Sequence, residues 1–436
     1  MSAPNDIASP RRGGARTRDL GGMPIVLTGL ILWNLGNYVF FVIAGRTVGP
    51  AQYATVAALL STTMLIQIPS GAIQVGISRQ VAALTTKPDA IAALLRFAML
   101  RCLIWGVVVG AATVAITMLI APSLGTVNAL WTGATTAPMP LYSFASGVLQ
   151  GQQRFRRFAL SVSMLGLPRP VFLLLCFLVM HEITSAIAAS ALTIVAACVT
   201  TVMLAWPAGV ERVPPPLSLW RGFLRTIAPL AVGLAGFGAL VNVDVIVARA
   251  SLPERIAGLF GAIAVLGKAT VIFPQAVAWI LLPRVSVRHA RGQRTGSLLV
   301  LGVAVCAVLV LVAAGVAWLF DDQIVRLVFG SEFVDGARYL PPLILTTGLI
   351  GILLLLMNHQ LGRGDDRFAV VMAGLAVLQG LLLAVVHDTV EHLLLIEFVV
   401  GALGLVIHEA IHTDPDAGLC RSIHAMLTAD KGRHSA

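Results

Sequence analysis

The feature that most constrains this chain is a series of apolar runs about as long as a lipid bilayer is thick. A membrane-spanning α-helix needs roughly 20 apolar residues, whereas a transmembrane β-barrel needs alternating segments of about ten. The run 298–319 does not alternate. The sequence therefore predicts an all-α polytopic membrane protein with about twelve transmembrane helices, at residues 23–44, 54–78, 102–121, 128–149, 159–180, 183–206, 226–248, 256–282, 297–319, 340–361, 368–387 and 391–411.

The composition excludes several other classes of protein. With 58% hydrophobic and 11% charged residues, the chain cannot give a soluble protein of 436 residues a polar surface. The net charge of +10 does not indicate nucleic-acid binding, because the arginines stand at the ends of apolar runs rather than on one basic face. The five cysteines show no paired spacing, and no disulfide or cofactor is predicted.

Lysine and arginine divide between alternate loops. The loops on one side carry 23 of them and those on the other side 5, while Arg169 and Lys268 fall within spans. Positive loops face the cytoplasm, so this pattern predicts a multi-pass protein of the cytoplasmic (inner) membrane with both termini cytoplasmic.

Two stretches about 203 residues apart repeat each other. Each opens with Arg-x3-Pro, at Arg46 and at Arg249, and each closes with Pro-x9-Arg, at Pro69 and at Pro274. A duplicated membrane half is typical of secondary transporters. The predicted organisation is a polar tail at 1–22, a lobe at 23–207, a proline-rich linker at 208–225, a second lobe at 226–411 and a tail at 412–436, with a pseudo-two-fold axis along the membrane normal relating the lobes.

Several short motifs resemble those of one protein family and occur in the same order along the chain. Residues 242–249 (NVDVIVAR), 257–262 (AGLFGA) and 282–284 (LPR) resemble the seventh and eighth helices of Wzx-type polysaccharide flippases. These belong to the multidrug/oligosaccharidyl-lipid/polysaccharide exporter superfamily. The loop 324–333, the turn 45–53 and the segment 150–155 are similar to further connections of that family.

The resemblance, over about residues 23–370, implies two six-helix lobes around a central cavity that opens to each side in turn. It implies a polyprenyl diphosphate-linked oligosaccharide as the cargo and polysaccharide-assembly enzymes as partners. A cation-coupled multidrug exporter of the same superfamily is the alternative.

Polar groups inside a membrane are costly unless they face a cavity or a partner. Arg169 and Lys268 could bind a diphosphate at depth, or could pair with Asp244 or Glu397. Asn34, Asn37, Gln67, Gln74 and Gln275 could bind sugar hydroxyls, or only link helices. Arg46 and Arg249 could guide release at the outer mouth, or only anchor the membrane interface.

Two acidic residues are candidates for binding a coupling ion. Asp244 lies in the outer third of the seventh span and Glu397 in the twelfth. Burial and nearby arginines tune such carboxylates, so they could exchange H⁺ or Na⁺.

A remote alternative is zinc proteolysis. His408-Glu409-Ala410-Ile411-His412 matches H-E-x-x-H, in which two histidines one turn apart hold zinc. A capped helix end with solvated histidines explains the motif equally well, and the duplicated body would have no role in a protease.

Overall fold

The computed structural model describes residues 16–83, 88–120, 125–206 and 217–434, and every long element in them is a helix. The first lobe consists of α1 (Arg16–Val48), α2 (Pro50–Ala83), α3 (Pro88–Ile120), α4 (Gly125–Thr136), α5 (Met139–Gly151), α6 (Phe155–Ser163), α7 (Arg169–Phe177) and α8 (Glu182–Ala205). The second lobe consists of α9 (Leu217–Ser251), α10 (Glu254–Lys268), α11 (Ile272–Ala290), α12 (Gly296–Val328), α13 (Leu340–Gly362), α14 (Arg367–Val385) and α15 (Val390–Ile411), followed by α16 (Leu419–His434).

Within the described ranges, ten helical segments are long and apolar enough to cross a membrane. The fourth and fifth predicted spans instead fall on two pairs of shorter helices, α4–α5 and α6–α7. Pro138 and Pro168 stand at these two breaks, where the missing N–H and the restricted preceding residue end a helix. The chain is thus a two-lobed, multi-pass helical membrane protein, as predicted.

Two helices begin earlier than the expected organisation places them, and the tail contains a helix. Helix α1 begins at Arg16, inside the predicted polar tail, and α9 begins at Leu217, inside the predicted linker, whose proline run lies outside the described residues. The tail after residue 412 contains α16. Helix α2 continues through Pro69.

The helices of each lobe pack against one another, and helix α2 contacts both lobes. Helix α13 is the centre of the second lobe, with Leu353, Leu355 and Met357 fully buried. Helix α2 packs on α5 in its own lobe and on α9 and α10 in the other. The closest approach is at Gly258, where a Cβ atom would overlap the carbonyl oxygen of Pro50. Only glycine lets two helices come this near.

The helix bundle has two ends, which we call the Arg46 end and the α16 end. The Arg46 end contains the α1–α2 turn, the α9–α10 turn and the segment 329–339. The α16 end contains the α11–α12 and α13–α14 connections and α16.

Candidate functional site

An ion pair lies buried inside the second lobe. The ammonium of Lys268 donates to Oδ1 of Asp244 at 2.9 Å, and the Asp244 side chain is fully buried. Glu397 is also buried, and the hydroxyl of Thr346 donates to its Oε2 at 3.2 Å. The Glu397 carboxylate lies close enough to that of Asp244 for their negative charges to repel. We call Asp244, Lys268, Thr346 and Glu397 the acidic cluster.

A break in the eighth span positions Lys268. It is the last residue of α10, and a short 3₁₀ turn, Ala269–Val271, separates it from α11, so the continuous span predicted at 256–282 is two helices. A cation in the last turn suits the negative end of the helix dipole. The carbonyl of Gly267, beside the break, accepts hydrogen bonds from the hydroxyls of Thr270 at 2.6 Å and Thr347 at 3.3 Å.

The acidic cluster holds more negative than positive charge when both carboxylates are ionised. Lys268 is the cation that pairs with it, and Asp244 Oδ2 and Glu397 Oε1 are buried without a hydrogen-bond partner in the described part of the chain. Buried unpaired acceptors are expensive. With one lysine and two ionised carboxylates, one bound proton or monovalent cation would neutralise the cluster.

Arg169 lies in the first lobe, at the first residue of α7 rather than in the middle of a continuous helix. Its Nη1 donates to Asn37 Oδ1 at 2.8 Å, and its Nη2 to Ser190 Oγ at 2.7 Å. The guanidinium carbon stands 4.1 Å from the centre of the Phe40 ring, a cation–π contact. The side chain is 6% exposed, and no ion pair to it occurs among the described residues.

The remaining polar candidates do not gather into one site. Gln74 of α2 donates to Gln150 of α5 at 3.2 Å, a link between helices of one lobe. Asn34 donates to the carbonyl of Leu30 in its own helix at 2.9 Å. Gln67 and Gln275 are half-buried in α2 and α11.

The two repeated arginines both cross the boundary between the lobes. Arg46, in the last turn of α1, donates from Nε to the carbonyl of Val328 at 3.2 Å and from Nη2 to that of Leu327, at the end of α12. Arg249, in the last turn of α9, donates to Thr55 Oγ1 of α2 at 3.1 Å and pairs with Glu254. The motif found by repetition thus forms a reciprocal pair of contacts.

An aromatic cluster closes the same end. The Tyr53 ring of α2 meets Phe329 and Phe333 of the other lobe edge-on, with ring centres 5.6 and 5.8 Å apart. All three side chains are buried. Together with the arginine contacts, the cluster packs the lobes against each other at the Arg46 end. Sequence reasoning did not select these rings, because an aromatic residue at a helix end carries no distinctive spacing.

The H-E-x-x-H motif has a structural role. Glu409 accepts from the backbone N–H groups of Leu419 at 2.6 Å and Cys420 at 3.0 Å, and so caps α16. His408 contacts Glu409 through Nδ1 and Gln360 through Nε2. Within the described ranges, no group of His, Cys, Asp and Glu side chains has metal-binding geometry.

The expectation of solvated histidines is wrong. His408 and His412 are 0% and 1% exposed. Burial lowers the pKa of His412, which follows the last residue of α15, so burial favours the neutral imidazole.

The helical architecture, the two lobes and the polar residues within spans define a membrane transporter. The sequence profile of a family described as polysaccharide biosynthesis protein matches residues 22–289. The chain belongs to this family. Curated protein sequences gave no match.

Solved transporter structures share the fold. An inward-facing multidrug resistance MATE family transporter of the MOP superfamily superposes with a TM-score of 0.70 at 15% identity, over 86% of this chain and 93% of the other. An outward-facing one gives 0.66 at 15% identity, over 96% and 98%. The lipid II flippase MurJ, in an inward closed conformation, gives 0.66 at 11% identity, over 89% and 86%. These neighbours are two transporters and a flippase.

Proposed function

We propose that the protein is a flippase that moves a polyprenyl diphosphate-linked oligosaccharide from the cytoplasmic to the outer leaflet of the inner membrane by alternating access. The family match carries this proposal, because membership in a polysaccharide biosynthesis family supports a saccharide cargo for a two-lobed membrane protein. The fold shared with a lipid II flippase supports a lipid carrier.

The buried arginine of the first lobe supports an anionic cargo. Lys268 is neutralised by Asp244, whereas the partners of Arg169 are the neutral Asn37 and Ser190 and the face of Phe40. A diphosphate is a stronger acceptor for a guanidinium than an amide or a hydroxyl. Arg169 would exchange these partners for the diphosphate when the lobe rearranges.

The acidic cluster would couple transport to an ion gradient. Binding of H⁺ or Na⁺ between Asp244 and Glu397 removes a negative charge beside Lys268 and changes how α9, α10 and α15 attract one another. In this proposal the Arg46 end is the outer face, closed here by the arginine contacts and Tyr53.

A reconstitution experiment tests the cargo. Proteoliposomes containing a fluorescent polyprenyl-diphosphate sugar are treated with a membrane-impermeant quencher, and the rate at which lipid becomes accessible is measured. We expect Arg169→Gln to lower the rate at least about tenfold, the factor given by 1.4 kcal/mol of lost binding, and Arg169→Lys to retain part of it. Arg255→Gln, which breaks an exposed ion pair within the second lobe, is the matched control.

Two outcomes would overturn parts of the proposal. Equal rates for wild type and Arg169→Gln would remove the contact with the diphosphate. Export of organic cations without lipid translocation would identify a multidrug exporter instead. Coupling is tested separately: Asp244→Asn and Glu397→Gln should make the rate insensitive to collapse of the gradient, and unchanged sensitivity would remove the cluster from the mechanism.

A further inference from the structure

Helix α16 exposes an apolar strip that no part of the described protein covers. Ser422 is buried and Leu419 and Ala425 are half-buried on its inner side. On the outer side Ile423 is 39% exposed and Leu427 62%. Large apolar groups in this arrangement need a partner or a lipid surface.

Helix α16 is held in place by contacts with the second lobe. Glu409 caps its first turn, and Ser422 packs against Gly296, the first residue of α12. Arg363, which directly follows α13, pairs with Asp414 just before α16 at 2.6 Å. Helix α12 is the most apolar of the membrane-length helices described, and α16 packs beside its first residue.

The exposed side of α16 is itself divided. At 100° per residue, Cys420, Ile423 and Leu427 lie within about 60° of one another, and Arg421, His424 and Thr428 lie within about 60° on the adjacent flank. All six side chains are exposed. An apolar flank beside a polar flank is the pattern of a helix that lies in the plane of a membrane interface.

The charge around α16 matches an anionic surface. The last turn of α11 and the connection to α12 carry Arg288, Arg291 and Arg294, all exposed, and Arg421 adds a fourth cation. Asp416, at 3.5 Å from Arg294, offsets part of this charge. Basic groups beside an apolar strip bind the headgroups of anionic phospholipids.

We propose that α16 is an interfacial helix that inserts Ile423 and Leu427 into the adjacent leaflet and binds anionic phospholipid headgroups through Arg421 and the α11–α12 arginines. The helix would anchor the second lobe while the lobes move. The proposal depends on the protein spanning a membrane and not on its cargo.

The native cysteines allow a direct test. Cys420 is exposed, whereas Cys102, Cys176, Cys198 and Cys306 are buried. In a Cys420→Ser background, an environment-sensitive fluorophore is attached after Leu427→Cys or after the matched control Thr428→Cys, and each protein is placed in nanodiscs with lipids brominated on the acyl chains. We expect quenching at position 427 to exceed that at 428 by at least about twofold, as for a helix with one flank in the acyl region.

The lipid charge is varied in the same system. Replacing anionic phospholipid by a zwitterionic one, or introducing Arg421→Gln, should lower the quenching at 427 while leaving 428 unchanged. Equal quenching at both positions would overturn the proposal and leave a protein partner as the occupant of the strip. If quenching at position 427 does not depend on lipid charge, the proposed contact between the arginines and anionic headgroups is wrong. Monodisperse elution of both labelled proteins shows that they are folded.

Discussion

Arg46 donates from Nε to the backbone carbonyl of Val328 at 3.2 Å, which joins the end of the first helix of one lobe to the end of α12 in the other. Arg249, its counterpart in the repeat, makes the opposite crossing to Thr55. The duplicated motif therefore lies at the junction between lobes, where alternating access requires contacts that form and break.

Removing these contacts should favour opening of the Arg46 end. A hydrogen bond of this kind contributes about 1 kcal/mol, so Arg46→Gln or Arg249→Gln should raise the ratio of open to closed molecules roughly fivefold. The measurement is the distance distribution between spin labels at exposed positions Gln52 and Gln323, in the two lobes. Arg255→Gln, whose ion pair with Asp335 stays within one lobe, should leave the distribution unchanged. An identical distribution in all three variants would show that the arginines do not hold this end closed.

The close approach of α10 to α2 gives a second prediction. Gly258→Ala places a methyl group against the Pro50 carbonyl, so α2 and α10 must separate and the thermal stability in detergent should fall. Gly315→Ala in α12, where a Cβ meets nothing within 4 Å, should instead leave stability unchanged or raise it by about 0.5–1 kcal/mol, since alanine favours a helix. Equal effects of the two substitutions would contradict the packing at Gly258.

The architecture could be predicted from the sequence because apolar length and loop charge act locally. The fourth and fifth spans were predicted less well, because hydropathy indicates one continuous helix for each. Pro138 breaks the fourth span, and the prolines on either side of Arg169 break the fifth. The turn after Lys268 has no proline in it, so its break could not be predicted from composition.

The candidate site was predicted in part. Lys268 and Asp244 form an ion pair, which is one of the alternatives raised by their charges. Ser190 and Thr346 were missed. A serine or threonine hydroxyl within a helix can bond either to its own helix or to a distant arginine or glutamate, and the sequence does not distinguish the two. Which helices face each other depends on packing between distant parts of the chain. Whether the selected residues touch cargo stays a prediction.

The acidic cluster should respond asymmetrically to substitution. Lys268→Met leaves two buried carboxylates without their cation, and loss of one partner of a buried pair costs about 3–5 kcal/mol. The double variant Lys268→Met, Asp244→Asn removes the carboxylate that Lys268 paired with, leaves Glu397 as in the single variant, and should recover much of that loss. Chemical unfolding in detergent, followed through a double-mutant cycle, gives the coupling energy. Additive effects would show that the two side chains do not interact.

The cap on α16 gives the last prediction. Glu409→Ala exposes the first N–H groups of α16, and loss of a cap costs about 1 kcal/mol, so trypsin should cleave after Arg421 faster than in the wild type. Glu409→Gln keeps one acceptor oxygen, so its cleavage rate should lie between those of the wild type and Glu409→Ala.

A zinc site would behave differently: the metal would co-purify at one ion per chain and disappear in His408→Ala, with the protein stabilised by added zinc. Because Glu409 is turned toward α16 and His408 is bonded to Gln360, we expect no such stoichiometry, and finding it would require a rearrangement of this end of the bundle.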